Sequence, residues 1–335
     1  MKLTEDDPQS LTQLARRLNW MSATTQVDSL SVAGEGNMNV VLRGHLSDGC
    51  SLIFKQSLPF VAKYPQIAAP QERLNFEARF YDVIAANSRL AAATPHIVGY
   101  DSGARVMCMA DLGEASDFLH VYHKNANLKE LETSVTTLLA WLSELHALEL
   151  PSGLGSDFSN AAMRQLNHEH IFDIPIQPDN GLELEAPQAE FADELRAATS
   201  VTDRIHQLGE IYLGNAATES TSCLLHGDFY PGSWIRDSAG QLTVIDPEFC
   251  FWGAPEFDVG VLQAHLTFAG MDSDTITRLL TDYRRPVGFA QTLADEFAAV
   301  ELIRRLLGVA QLPLDASTNN KLSWLNQART VLEST

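Results

Sequence analysis

The chain has 335 residues, 45% of them hydrophobic and 20% charged, which fits a soluble globular protein of two lobes or domains rather than one core. Its 43 acidic residues against 23 basic give a net charge of -20, which argues against a nucleic-acid or anionic-membrane surface; an anionic ligand would need a few local cations, backbone amides and metal. The scattered cysteines Cys50, Cys108, Cys223 and Cys250 form no CxxC pair, no run is apolar enough to span a bilayer, and MKLTEDDPQS lacks the apolar run of a signal peptide, so a cytoplasmic protein with reduced thiols is expected.

In chain order, Asp7-Pro8 followed by Leu11, Leu14, Ala15 and Leu18 predicts a capped amphipathic helix. Residues 29–45 predict two strands around a Gly-Glu-Gly-Asn turn, 50–56 a third strand, 70–86 a helix, and 94–101 and 104–110 two more strands. Beyond 117 the spacing is helical, over 128–148, 183–213, 273–283 and 290–312, with one β-hairpin as the exception. The boundary falls near 113–117, giving a β-rich part with one embedded helix over 1–113 and a mainly helical part over 114–335, an α+β organisation.

The hairpin segment LLHGDFYPGSWIRDSAGQLTVIDPEFCFWGAPEFD carries the chemistry. Its apolar runs end at His226-Gly227-Asp228 and at Asp246-Pro247-Glu248, and carboxylates at strand ends belong at a cleft mouth, since an unpaired ionised group is costly to bury. One such group can take a hydroxyl proton while others hold a metal, the equipment of phosphoryl transfer. Asp is also common at strand-end turns as a backbone cap, so HGD or DPE alone would mean little, and the order of the whole segment carries the reading.

Upstream, Gly34, Gly36, Asn37 and Asn39 lie in a turn whose backbone can approach a phosphate, although such a turn is more often only a hairpin. Lys55, in SLIFKQ, needs a partner on a half-buried strand unless it snorkels to water. Glu77 shares a helix face with Phe80, Tyr81 and Ile84, an acid on an apolar stripe, and is the candidate partner. A strand Lys followed by a helix Glu is the ion pair that holds nucleotide phosphates in kinases.

The segments AGEGNMNVV, SLIFKQSLPFV, MADLG, NHEHIFDIP, HGDFYPGSW, IDPEFCFWGAPEFDVG and LIRRLLGVAQ resemble the aminoglycoside phosphotransferase and choline kinase superfamily, and within it the 5-methylthioribose kinase family. Two details favour that family: Ser233 stands where most relatives place a metal-binding Asn, and Glu248 supplies a second carboxylate two residues after Asp246. Against it, Phe229-Tyr230-Pro231 is bulkier than the small polar turn usual there, and the chain looks shorter between 179 and 224.

The resemblance implies a bilobal protein-kinase-like fold, with ATP and Mg2+ as cofactors and adenine against backbone at Met109, Ala110 and Asp111. Phosphates would lie on the Gly34–Asn39 turn and Lys55, magnesium on Asp246 and Glu248 with Ser233 as a weak or water-mediated ligand, and Asp228 would be the base. The acceptor would be methylthioribose, phosphorylated at its anomeric hydroxyl for methionine salvage, or alternatively an aminoglycoside, choline, ethanolamine or another sugar; a non-catalytic nucleotide-binding module is a third reading. The family's tendency to dimerise implies a homodimer. Arg304 and Arg305, adjacent on a largely apolar helix, would contact the acceptor by resemblance, while their residues alone allow a salt bridge equally well. Trp252 could wall an acceptor pocket, though the aromatics Tyr230, Trp234, Phe249, Phe251 and Trp252 also suit core packing.

Overall fold

A computed structural model describes residues 2–34, 36, 38–150, 153–178 and 180–334, without the side chains of Leu154 and Ser156. The chain divides into two units, Met1–Ser116 with Ile235–Phe249, and Asp117–Trp234 with Cys250–Thr335. Elements are numbered in chain order.

In the first unit, α1 (Pro8–Arg17) starts where Asp7 accepts from the Ser10 amide at 3.0 Å and Pro8 occupies the first turn. Its face of Leu11, Leu14 and Ala15 joins Trp20, Val27, Leu42, Phe54, Val106 and Cys108 in one core. The sheet beneath it comprises β1 (Val27–Val32), β2 (Val40–Leu46), β3 (Ser51–Gln56), β6 (Ile97–Asp101) and β7 (Val106–Ala110). Its order is β1-β2-β3-β7-β6, antiparallel at every step. Each step is therefore reachable by a local connection except β3 to β7.

Into that gap the chain inserts a small ribbon, β4 (Phe60–Val61) with β5 (Tyr64–Ala68), then α2 (Arg73–Ile84) and the short α3 (Ser88–Ala92). The helix expected over 70–86 begins at Arg73, because residues before it turn back on Pro70, whose carbonyl accepts from Arg73 Nη1 at 2.7 Å. Its buried face carries Arg73, Glu77, Phe80, Tyr81 and Ile84.

The expected hairpin is β10 (Trp234–Asp237) and β11 (Leu242–Val244), turned by Asp237, whose carboxylate accepts from the amides of Ala239 and Gln241 at 2.9 and 2.8 Å. With β8 (Ala115–Asp117) it forms a three-stranded sheet, β11-β10-β8. Val244 donates its amide to Ala93 O at 2.8 Å and Gln241 Nε2 to Ala92 O at 3.1 Å. Those bonds moor residues 235–249 to the end of α3, so this stretch groups with the N-terminal unit rather than with the rest of 114–335.

The second unit contains α4 (Leu128–His146), α5 (Ala161–His168), α6 (Ala186–Ala197), α7 (Thr199–Leu213), α8 (Glu256–Phe268), α9 (Ser273–Leu280), α10 (Gln291–Leu307) and α11 (Thr318–Glu333). The helical stretch over 183–213 is two helices, broken at Ala198, whose φ of -83° and ψ of 85° leave the helical region. A strand pair also lies in this unit: β9 (Cys223–Leu225) runs antiparallel to β12 (Phe251–Gly253). The hairpin is thus not the only β structure after residue 117.

Helix α8 is buried along nearly its whole surface and pairs with α10, which buries Glu296, Glu301, Arg304 and Arg305 among its apolar residues. All four cysteines are free thiols, Cys50 exposed and the other three buried. Among the described residues no helix is long and apolar enough to cross a membrane.

Candidate active site

The first unit gathers five charged side chains. Lys55, on β3, reaches Glu77 of α2 at 2.7 Å and Asp246, just after β11, at 2.8 Å. Lys55 and Glu77 are buried, whereas the Asp246 side chain is 45% exposed and so is the member open to a ligand. Burial pulls the Lys55 ammonium down, but Asp246, Glu77 and Glu248 together outweigh it and hold the lysine protonated. Glu77 is pushed up to about 8 by burial, against the pull of Lys55 and with a further push from Asp246 and Glu248. Asp246 has φ +61°, the left-handed region that Asp tolerates better than most residues. Holding it there costs of order 1–3 kcal/mol, a strain typical of functional positions.

Glu248 is buried and accepts from Asn39 Nδ2 at 2.9 Å, with Arg73 Nε at 3.2 Å. Burial raises its pKa, opposed by Lys55 and Arg73. Sequence reasoning missed Arg73, although it lies one turn before Glu77 on the same face, which is the signal that could have found it. Fully buried, it donates to Asn39 Oδ1, Met38 O, Leu58 O and Pro70 O at 2.7–3.0 Å. It stitches the 38–39 turn and α2 to the D-P-E segment. Replacing Arg73 by Ala strands a buried carboxylate and three carbonyls, and should destabilise the protein by about 3–5 kcal/mol in a urea titration. A midpoint within error of the parent would contradict this.

Gly34 has φ +146°, a conformation essentially reserved for glycine, while Gly36 shows no such constraint. Asn37 lies outside the described residues. Asn39 is bonded inward, to Arg73 and Glu248. Met109 and Ala110 close β7, where the Ala110 amide donates to His96 O at 2.9 Å. Asp111 accepts from Arg43 Nε and Ser51 Oγ, each at 2.6 Å, and from the Gly113 amide at 3.0 Å. Its side chain therefore ties β2, β3 and the following turn together.

In the second unit, Asp228 sits in the loop after β9. Its loop is fixed from behind by Asp258, in the first turn of α8, which accepts from the amides of His226 and Gly227 at 2.7 and 2.9 Å. His146 Nε2 supports Asp258 at 3.2 Å, and Tyr283 OH lies 2.6 Å from His146 Nδ1. Ser233 donates its hydroxyl to Asp228 O at 2.8 Å, closing the turn, and is grouped with Asp228 rather than with Asp246 and Glu248. Burial raises the Asp228 pKa above the usual carboxylate range, against the pull of Arg305 and Arg304.

Arg305 Nη2 lies 3.4 Å from Asp228 Oδ1, its Nε donates to Glu301 at 2.6 Å, and its guanidinium covers the Tyr230 ring at 4.9 Å. Arg304 donates to the same Glu301 carboxylate at 3.0 Å, while its buried Nε has no acceptor among the described residues. Trp252, on β12, is half-buried with its indole against Gly155, where a Cβ would come within 3.2 Å. Phe229 and Trp234 are fully buried, Phe229 stacked on Trp141, so these two aromatics are core.

A sheet lysine paired to a helix glutamate, with an acidic segment following a hairpin, sits on a protein-kinase-like fold. A choline kinase from Streptococcus pneumoniae matches with TM-score 0.56 at 13% identity, covering 97% of this chain and 98% of that one. A spectinomycin phosphotransferase in complex with ADP and spectinomycin also gives TM-score 0.56, at 11% identity over 99% and 98% of the two chains.

Residues 36–290 match the phosphotransferase enzyme family, and the chain belongs to that family. Relatives include the methylthioribose kinase of Cronobacter sakazakii, 27% identical over 264 residues, 75% of this chain and 63% of the relative. That of Bacillus velezensis is 23% identical over 317 residues, 83% of this chain and 78% of the relative. The match thus spans slightly under two thirds of the Cronobacter enzyme.

Proposed function

We propose that the chain is an ATP-dependent kinase that phosphorylates a hydroxyl of a small neutral sugar, 5-methylthioribose, giving methylthioribose 1-phosphate and ADP. The observation that carries the choice of acceptor is the surroundings of Asp228. Two buried arginines stand beside it, with one buried carboxylate, Glu301, between them. Guanidinium groups only donate hydrogen bonds, which suits the oxygens of a polyol. Asp228 and Glu301 balance the two arginines, so the site offers a cationic aminoglycoside or choline no excess negative charge, and the Tyr230 face that an ammonium would seek is already covered by Arg305. The names of the sequence relatives agree with this reading.

In this reading Asp228 orients the attacking hydroxyl and takes its proton. Its raised pKa suits a base, and Arg305 keeps it ionised and aimed. Lys55, held by Glu77, would bind nucleotide phosphate, and the Gly34–Asn39 turn would lie along it.

The residues present also fit magnesium. Asp246 and Glu248 lie beside Lys55 and Arg73, and the exposed Asp246 offers hard oxygen donors. Magnesium takes one or two carboxylates and completes its shell with phosphates and water. Asp246 and Glu248 would hold it, and when bound it would neutralise charge developing on the phosphates. Ser233 would serve mainly to hold the Asp228 loop.

Incubation with ATP, magnesium and, in turn, methylthioribose, choline, ethanolamine and an aminoglycoside should release ADP with the sugar alone. ADP release only with a cationic acceptor would overturn the assignment, and none with any acceptor would leave a nucleotide-binding module.

A further inference from the structure

Behind the arginine pair lies a buried chain that nothing in the proposed chemistry uses. Glu301, 1% exposed, receives Arg304 Nη1 at 3.0 Å, Arg305 Nε at 2.6 Å and His265 Nε2 at 3.1 Å. His265, wholly buried on α8, has its other nitrogen 2.5 Å from Tyr122 OH. Hydrogen-bond accounting fixes the protons. Glu301 lies between two guanidiniums and is ionised, so it can only accept, and Nε2 must carry the imidazole proton. Nδ1 is then the acceptor of the Tyr122 hydroxyl. Burial holds His265 down to about 4, consistent with a neutral ring.

The two arginines are not equivalent. Arg305 spends its Nε on Glu301, its Nη1 on Ala310 O at 3.2 Å and its Nη2 on Asp228 at 3.4 Å. Arg304 keeps a buried Nε with no acceptor among the described residues.

We propose that Glu301, braced by His265 and Tyr122, is the positioning group of the acceptor site: it clamps Arg305 onto Asp228 and holds Arg304 beside it. This rests on the sugar-kinase reading for the identity of that acceptor. The brace acts through the arginines, touches no reacting atom, and spans three elements, the 119–122 turn, α8 and α10.

Tyr122→Phe deletes only the distal hydroxyl, and His265→Gln removes the imidazole bridge. Both should raise the acceptor KM by about tenfold, the equivalent of one lost hydrogen bond, with the ATP KM within about twofold of the parent. An unchanged acceptor KM, or equal changes in both constants, overturns the proposal. Failure of the parent enzyme to turn over the sugar would instead refute the functional reading. The brace is then tested in the free protein by hydrogen exchange at the 15N-labelled Arg305 Nε, which should speed up about tenfold or more in Tyr122→Phe. Exchange at the parental rate there overturns the proposal without any acceptor.

Discussion

Asp228→Asn is expected to lower turnover by roughly 10²–10⁴-fold, the range that a positioned base contributes, with ATP affinity little changed. Asparagine preserves the shape of the side chain and an oxygen for Arg305 Nη2, now at 3.4 Å from Oδ1, but cannot take a proton. The same exchange should leave the melting temperature unchanged or raise it. Burial raises the Asp228 pKa in the fold, so the folded state binds this proton more tightly than the unfolded chain. The ionised group therefore costs stability above its folded pKa, and that cost disappears as the pH falls through it. Activity should follow the opposite sign, failing on the acid side as the base protonates. Retained turnover, or a matching loss of ATP binding and melting temperature, would remove Asp228 from the chemistry.

Local patterning made the Lys55–Glu77 pair legible, because an acid on an apolar helix stripe demands a cation and a strand lysine between Phe54 and Gln56 demands an anion. Arg73 carries the same logic one turn earlier, yet an arginine near a helix start reads as solvated, and its acceptors are mostly backbone carbonyls that no residue type announces. Glu301 could have been found from Arg304 and Arg305 three and four residues later. His265 and Tyr122 could not, since their pairing spans 143 residues and rests on how α8 packs. Residues 235–249 were legible as a hairpin from their turn chemistry, but their membership of the first unit rests on long-range bonds, to Ala92 and Ala93 at the end of α3 and from Asp246 and Glu248 to Lys55, Arg73 and Asn39. Periodicity also joined α6 to α7, since an Ala at a break gives no signal.

Lys55→Met separates what Lys55 does for the fold from what it does for ATP. Glu77 is fully buried, so at a pH where it is ionised, removing its cation leaves an uncompensated carboxylate, a loss of about 3–5 kcal/mol when such a pair is broken from one side. Burial already pushes Glu77 up to about 8, and without Lys55 its folded pKa goes higher still, far above its value in the unfolded chain. The folded variant then binds that proton more tightly than the unfolded one, so its stability rises as the pH falls from the folded pKa toward the unfolded value. The deficit measured by urea titration should thus grow as the pH rises above about 8, where the parent's Glu77 ionises beside Lys55 and the variant's does not, and stay level below it. In Lys55→Met/Glu77→Gln both charges are gone, most of the stability should return, and this pH dependence should flatten. Phosphoryl transfer should not return with it, because the double variant still lacks the ammonium that would hold the phosphates. A double variant that regains turnover would make the pair a structural tie alone, and a single variant as stable as the parent above about pH 8 would show that Glu77 does not depend on Lys55 for its charge.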